Sequence, residues 1–318
     1  IYPAGQVPRR FDEMQKRMGE IWKIWLPPPA VDTFKQGGYY SVKLPFPSRL
    51  RLIAFNTLLY YKSNEVIGNP RDPAGQWVWF EACLNNSRIH SEKVFIFGHI
   101  PPGVYERTPF HGWLKEEVTN RYYDLVTEYA DVIEGQFFGH HHSDSFRVFH
   151  NKSGVPVSWM MIAPSVTPFH TSVDGISREG NPGIRLYKYL YETGQIVDYD
   201  QFYLNLSRAN FAGFTKWDLE YNFLEYYSLP ALTAASLDSI GVALLKNDTI
   251  FSKYFHANKV NRVRNTCENY CRLGHHCSVM NVKYEMFRAC MGSSHTIQTS
   301  PMALVVLFII LEYCTSAM

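Results

Sequence analysis

Phe11, Met14, Met18, Ile21, Trp22 and Trp25 recur at helical intervals and predict a helix over residues 10–25, with Pro27-Pro28-Pro29 as its stop. After Gly37-Gly38 the period changes, and residues 39–44 and 50–55 read as two strands joined by a Pro-containing turn. Asp72-Pro73 has the form of a helix start, a capping carboxylate followed by proline at the first helical position, and leads into Trp77-Val78-Trp79-Phe80. Two short apolar runs then carry the same punctuation: Val94-Phe95-Ile96-Phe97 before Gly98-His99, and Gln136-Phe137-Phe138 before Gly139-His140. A helical pattern over residues 116–129 separates them. Further strands are predicted over 146–149, 157–162, 184–191 and 196–204, and from Trp217 to the cysteine cluster the pattern reads as mainly helical. Strands alternating with helices give an α/β fold class, in which ligands gather at the carboxyl ends of strands, where both Gly-His pairs fall.

Composition narrows the setting. The chain has 318 residues, 46% of them apolar, enough for one large globular domain or one domain with an appendage. Its formal charge of +2, with both signs interspersed, leaves no basic stripe, so nucleic acid is not expected as a partner. Sequons begin at Asn85, Asn151, Asn205 and Asn247, and Cys267, Cys271, Cys277 and Cys290 are crowded together. These marks favour an oxidising, secretory compartment with glycosylation at those four asparagines. Four cysteines allow three pairings, and zinc binding is the rival reading, encouraged by His275 and His276. Cys83, in an apolar helical context, reads as a buried free thiol.

The chemistry concentrates in His99 and in the run His140-His141-His142. A strand ending in Gly-His can hold an imidazole rigidly at a sheet edge, the glycine letting backbone and metal approach closely. In an extended segment His140 and His142 would point the same way and His141 away, so His99, His140 and His142 are the candidate metal ligands. Histidines are commonly surface or satisfied core residues, and His90, His150, His170, His256, His275, His276 and His295 are read so. His111, close to His99 in sequence but in a loop before Gly112-Trp113, is a weaker candidate for substrate contact.

Gly98-His99-Ile100-Pro101-Pro102-Gly103, Gly135 to His142, Ala163-Pro164-Ser165 and Asn181-Pro182-Gly183-Ile184-Arg185 together resemble the acid sphingomyelinase-like phosphodiesterases, a family of calcineurin-like metallophosphoesterases. The resemblance covers most of the chain. It implies two β-sheets flanked by helices around two zinc ions, with His99 and His140 on one ion and His142 on the other. It also implies C-terminal disulfides joining Cys267 to Cys271 and Cys277 to Cys290. The family's Asp-x-His pair, bridging Asp and Gly-Asn-His-Asp segment, with its general-acid His, are expected upstream of Ile1. The chain is therefore expected to be a C-terminal fragment that is inactive alone. Gly68-Asn69-Pro70-Arg71-Asp72 is read as a decoy, because Pro70 stands where the catalytic His belongs. Asn56, at the end of a strand, is a weak candidate for substrate contact, with capping of a turn the favoured alternative. Aromatic and loop residues Tyr105, Phe110, Trp113, Phe169 and His170 are further weak candidates for shaping a pocket.

The small residues Gly292-Ser293-Ser294, the polar run to Ser300 and the apolar stretch 302–311 form the pattern of GPI attachment at Gly292 or Ser293. The expected organisation is residues 1–206 as part of the catalytic domain, 207–291 as a helical region with disulfides, and 292–318 as the GPI signal. The expected function is zinc-dependent hydrolysis of sphingomyelin-like phospholipids or nucleotide phosphodiesters by a monomer. It would lie on the extracellular face of the plasma membrane, held in the outer leaflet by the anchor, or be secreted. A cell-surface binding protein that keeps the fold without catalysis is the alternative.

Overall fold

The structure is a computed structural model and describes residues 7–45, 49–64, 71–168, 172–173, 176–177, 180–263 and 266–292. The Gly68–Pro70 part of the decoy, Phe169, His170, Ser293 and the apolar tail lie outside these residues. Helix α1 (Val7–Trp22) ends three residues earlier than the pattern predicts. The prolines do not merely stop it: Pro27 is the N-cap and Pro28 the first residue of a second helix, α2 (Pro28–Gly37). Proline suits that position because the first-turn N–H has no intrahelical partner to lose. Gly38 closes α2 in the left-handed region, at φ 70°.

The main sheet follows. Strand β1 (Tyr40–Lys43) pairs antiparallel with β2 (Leu50–Ala54). A 3-10 turn at Thr57–Tyr60 and another at Pro73–Gly75 lead to α3 (Gln76–Ile89). Asp72 does cap this region, but its carboxylate reaches past the 3-10 turn to accept from the N–H groups of Trp77 and Val78, at 2.7 and 3.2 Å. Then come β3 (Lys93–Phe97), α4 (Glu116–Glu128), β4 (Ile133–Phe138), β5 (Ser145–His150) and β6 (Pro156–Ile162). Together with β1 and β2 they form a six-stranded sheet in the order β1-β2-β3-β4-β6-β5. Strands β2, β3, β4 and β6 are parallel, and the edges β1 and β5 are antiparallel.

The short strands β7 (Ser172–Val173) and β8 (Ile176–Ser177) pair with each other. Strands β9 (Gly183–Tyr189) and β10 (Ile196–Leu204), helix α5 (Leu206–Ala212) and strand β11 (Trp217–Asn222) follow, and the three strands form an antiparallel sheet in the order β11-β10-β9. Trp217–Asn222 is thus a strand where the sequence reads as helical. Its period-two pattern is masked because Trp217 and Leu219 are apolar yet face solvent. The remainder is helical: α6 (Phe223–Tyr227), α7 (Ala234–Lys246), α8 (Asp248–Asn258), α9 (Asn269–Met280) and α10 (Tyr284–Gly292).

Two cores flank the main sheet. One joins Ile53, Phe55, Trp77, Phe80, Ile96, Tyr122, Val126 and Phe138. The other packs Phe146, Val148, Trp159 and Met161 of the sheet against Leu237, Ile240, Leu244 and Phe251 of α7 and α8. The C-terminal helices therefore share a core with the sheet that carries the histidines. Disulfides join Cys267 to Cys271 and Cys277 to Cys290, and Cys83 is a free thiol, half-buried rather than buried.

Candidate metal centre

Parallel pairing in register sets Phe97 beside Phe137, so Gly98-His99 and Gly139-His140 leave the sheet side by side. The Gly98 N–H donates to Phe137 O at 3.0 Å and the Gly139 N–H to His99 O at 3.0 Å, which ties the two exits together. Gly98 serves a different purpose from the one expected. A Cβ on Gly98 would lie 2.3 Å from the Phe138 ring, so this glycine makes room for an aromatic side chain rather than for a metal.

His140 Nδ1 stands 3.3 Å from His99 Nε2, with the two rings nearly perpendicular. Trp113 and Tyr61 pack edge-on against His140, at ring separations of 4.7 and 6.1 Å, and His111 lies 4.2 Å from the Trp113 ring. His140 Nε2 is buried without a hydrogen-bond partner. Burial, then the neighbouring imidazoles, push the His140 pKa down to about 4. Burial also lowers His99 and His142, the latter further through His99. All three rings are thereby biased to the neutral form at neutral pH, which is the ligand form of histidine.

The loop is not the extended segment that the sequence suggested. His140 and His142 both lie in the left-handed region, at φ 65° and 52°, and the His141 N–H donates back to Gly139 O at 2.7 Å. Residues other than glycine uncommonly adopt this backbone, histidine more readily than most; it costs about 1–3 kcal/mol per residue and persists where the surroundings impose it. His141 does turn away from its neighbours: its ring is buried, 4.6 Å from the Tyr105 ring, with Nδ1 3.7 Å from Glu106 Oε2. Among the described residues, no group of three ligand atoms within 4.8 Å of one another includes His142. His99 and His140 form a close pair, with His142 near enough to both to act on them electrostatically.

Buried charge surrounds this loop. Arg147 Nη2 donates to Glu106 Oε2 at 2.8 Å, and Ser143 Oγ and Asn258 Nδ2 donate to Glu106 Oε1 at 3.1 and 2.9 Å. Burial opposes the Glu106 charge, but Arg147 and His141 outweigh it and hold the carboxyl well below the usual carboxylate range. Asp144 pairs with Arg185 Nη2 at 2.6 Å and accepts from the Tyr221 hydroxyl. Apart from Arg185, which closes one of the family-like motifs, none of these residues stood out in the sequence, although Arg147, charged within the apolar strand Phe146–Phe149, was an available signal.

Asn56 is occupied structurally: its Oδ1 accepts from Leu58 N at 3.1 Å and its Nδ2 donates to Gly37 O at 2.7 Å, the capping alternative. Its neighbour Thr57 matters more to the site, since Thr57 Oγ1 accepts from Ile100 N at 2.8 Å and anchors the loop after His99. The sequon asparagines lie at different places. Asn205 and Asn247 cap α5 and α8, Asn151 shapes the turn after β5, and Asn85 is exposed within α3. Cys267, Cys271 and His275 lie close enough together for a metal, but the two sulfurs are joined to each other.

Residues 155–297 match the family model described as the acid sphingomyelin phosphodiesterase C-terminal region. The human acid sphingomyelinase-like phosphodiesterase 3b is 34% identical over 99% of this chain and 70% of its own length. The mouse protein of that name is 35% identical over 92% of this chain and 64% of its own. Human cyclic GMP-AMP phosphodiesterase SMPDL3A is 35% identical over 91% of this chain and 64% of its own. The chain belongs to the acid sphingomyelinase-like phosphodiesterase family. It spans about two thirds of the length of these relatives.

Proposed function

We propose that the protein is a zinc-dependent phosphodiesterase in which His99 and His140 hold one zinc ion and His142 serves a second. The observation that carries this reading is the 3.3 Å between His140 Nδ1 and His99 Nε2. Two imidazole nitrogens at that separation either share a proton or share a cation, and two ligands about 2.0–2.1 Å from a tetrahedral zinc stand about 3.3 Å apart. The preference of all three rings for the neutral form also suits a metal. Bound zinc would supply an activated water and stabilise charge on the oxygens of the reacting phosphodiester. The chain's own residues would hold and orient: the two sheet-edge histidines from β3 and β4, the Trp113 and Tyr61 rings against His140.

The relatives named for cyclic GMP-AMP and for sphingomyelinase-like activity support a phosphodiester substrate, a sphingomyelin-like phospholipid or a nucleotide derivative. Three imidazoles cannot satisfy two cations, so the 318-residue chain alone is proposed to be inactive. We also propose glycosylation at the sequons and GPI anchorage at Gly292 or Ser293 on the extracellular face. The test is hydrolysis of bis(p-nitrophenyl) phosphate by this chain and by a form extended upstream through the family's Asp-x-His motif. Activity of the extended form that chelation removes and zinc restores supports the enzyme. A folded, zinc-loaded extended form without turnover supports the binding protein instead.

A further inference from the structure

The histidine loop alternates ring and anchor. His140 and His142 carry the left-handed backbone, while His141 and Ser143 between and after them turn into the protein and meet one carboxylate, Glu106. Glu106 is itself fully enclosed. Beyond His141 and Ser143 it receives Arg147 from β5, which also donates to Val104 O at 2.9 Å and so fastens the segment that carries Glu106. From the opposite side comes Asn258, the last residue of α8. Its Nδ2 donates to Glu106 Oε1 and to Asp144 O at 2.9 and 3.0 Å, and its Oδ1 accepts from Arg107 Nε at 2.9 Å. One buried side chain from the C-terminal helices thus clamps both Glu106 and the backbone two residues after His142.

We infer that Glu106 is the positioning residue of the histidine loop, and that Asn258 completes the latch by carrying the C-terminal helices into the metal centre. Without the latch the left-handed turns at His140 and His142 lose what imposes them, and the imidazoles no longer face a common metal. The metal half of this inference rests on the proposed zinc centre, whereas the latch itself does not.

The experiment compares the wild-type chain with Glu106→Gln and Asn258→Ala, each checked for a cooperative melt. Amide exchange is measured on metal-free protein, and cobalt chloride is titrated as a spectroscopic substitute for zinc. Both variants are expected to raise exchange across residues 139–145 by about 10-fold or more, with β3 and β6 unchanged. They are expected to weaken cobalt binding by about 10- to 100-fold and to alter its visible absorption, as loss of a ligand-orienting partner does. Unchanged loop exchange in the folded variants overturns the inference whatever cobalt does. Raised exchange with unchanged cobalt affinity and spectrum overturns it too, leaving the network a matter of stability alone. Loosened loops beside a wild-type form, extended upstream through the family's Asp-x-His motif, that still binds no cobalt would instead refute the zinc centre and leave the latch standing. If E106Q does not fold, N258A decides.

Discussion

The left-handed backbone at His140 and His142 is the residue-scale feature that the sequence could not reveal, because the run of three histidines gives no sign of φ. The identity of the close pair was legible: two strands of like pattern, each ending in Gly-His, fall in adjacent parallel positions in the sheet. What supports them was not legible, since Glu106, Asn258 and Asp144 come from three separate stretches of sequence and acquire meaning only on folding. If a form extended upstream hydrolyses the diester, His140→Ala or His142→Ala in it should lower zinc-dependent turnover more than about 100-fold while the melt stays cooperative, since loss of a ligand exceeds the usual effect of losing its supporting partner. Turnover within a few-fold of wild type would remove them from the ligand set. A second residue stands out for pH. Both carboxylate oxygens of Glu220 are buried without a hydrogen-bond partner, and burial, reinforced by Asp144, raises its pKa to about 9. Because the native state keeps a proton that the unfolded chain releases near its ordinary pKa, Glu220 favours folding below that value and loses its contribution as pH rises toward 9. Glu220→Gln should melt with wild type at pH 5 and several degrees above it at pH 8, measured by circular dichroism. Equal melting at both pH values would contradict the buried neutral acid.

At the scale of elements, the sequence was most legible where one period ran unbroken, as in α4 and β10, and least where local chemistry served two purposes. The prolines at 27–29 end one helix and begin another, and Trp217, Leu219 and Tyr221 alternate in a strand, of which three only Tyr221 is buried. Asp72 shows how a recognised cap can act over a longer reach: it bridges a 3-10 turn to hold the start of α3. Asp72→Ala should therefore lower stability by about 1 kcal/mol in denaturant titration, the ordinary value of a helix cap. The disulfides act at this scale too. The Cys277–Cys290 bridge closes a 13-residue separation between α9 and α10, with Cys277 and Phe287 both buried beside it. Replacing both cysteines by Ser should cost about 3 kcal/mol by the loop-entropy estimate. A loss below about 0.5 kcal/mol would mean that packing of α10 alone holds the pair.

Over the whole molecule, the helices after residue 206 are more than an appendage to the sheet. Leu237, Ile240 and Leu244 of α7 complete the core under Phe146, Val148, Trp159 and Met161, and Asn258 of α8 enters the polar network beneath the histidines. Calorimetry should accordingly show a single unfolding transition for the sheet and the C-terminal helices. Two well-separated transitions would show that they fold as independent units. The proposed metal centre is thereby tied to the C-terminal helices. The most direct test of that centre is X-ray diffraction at the zinc absorption edge from zinc-loaded crystals. An anomalous peak is expected between His99 Nε2 and His140 Nδ1, about 2.0–2.1 Å from each. A zinc-loaded crystal with these two nitrogens in direct contact, and its metal elsewhere in the molecule, would contradict the proposed centre.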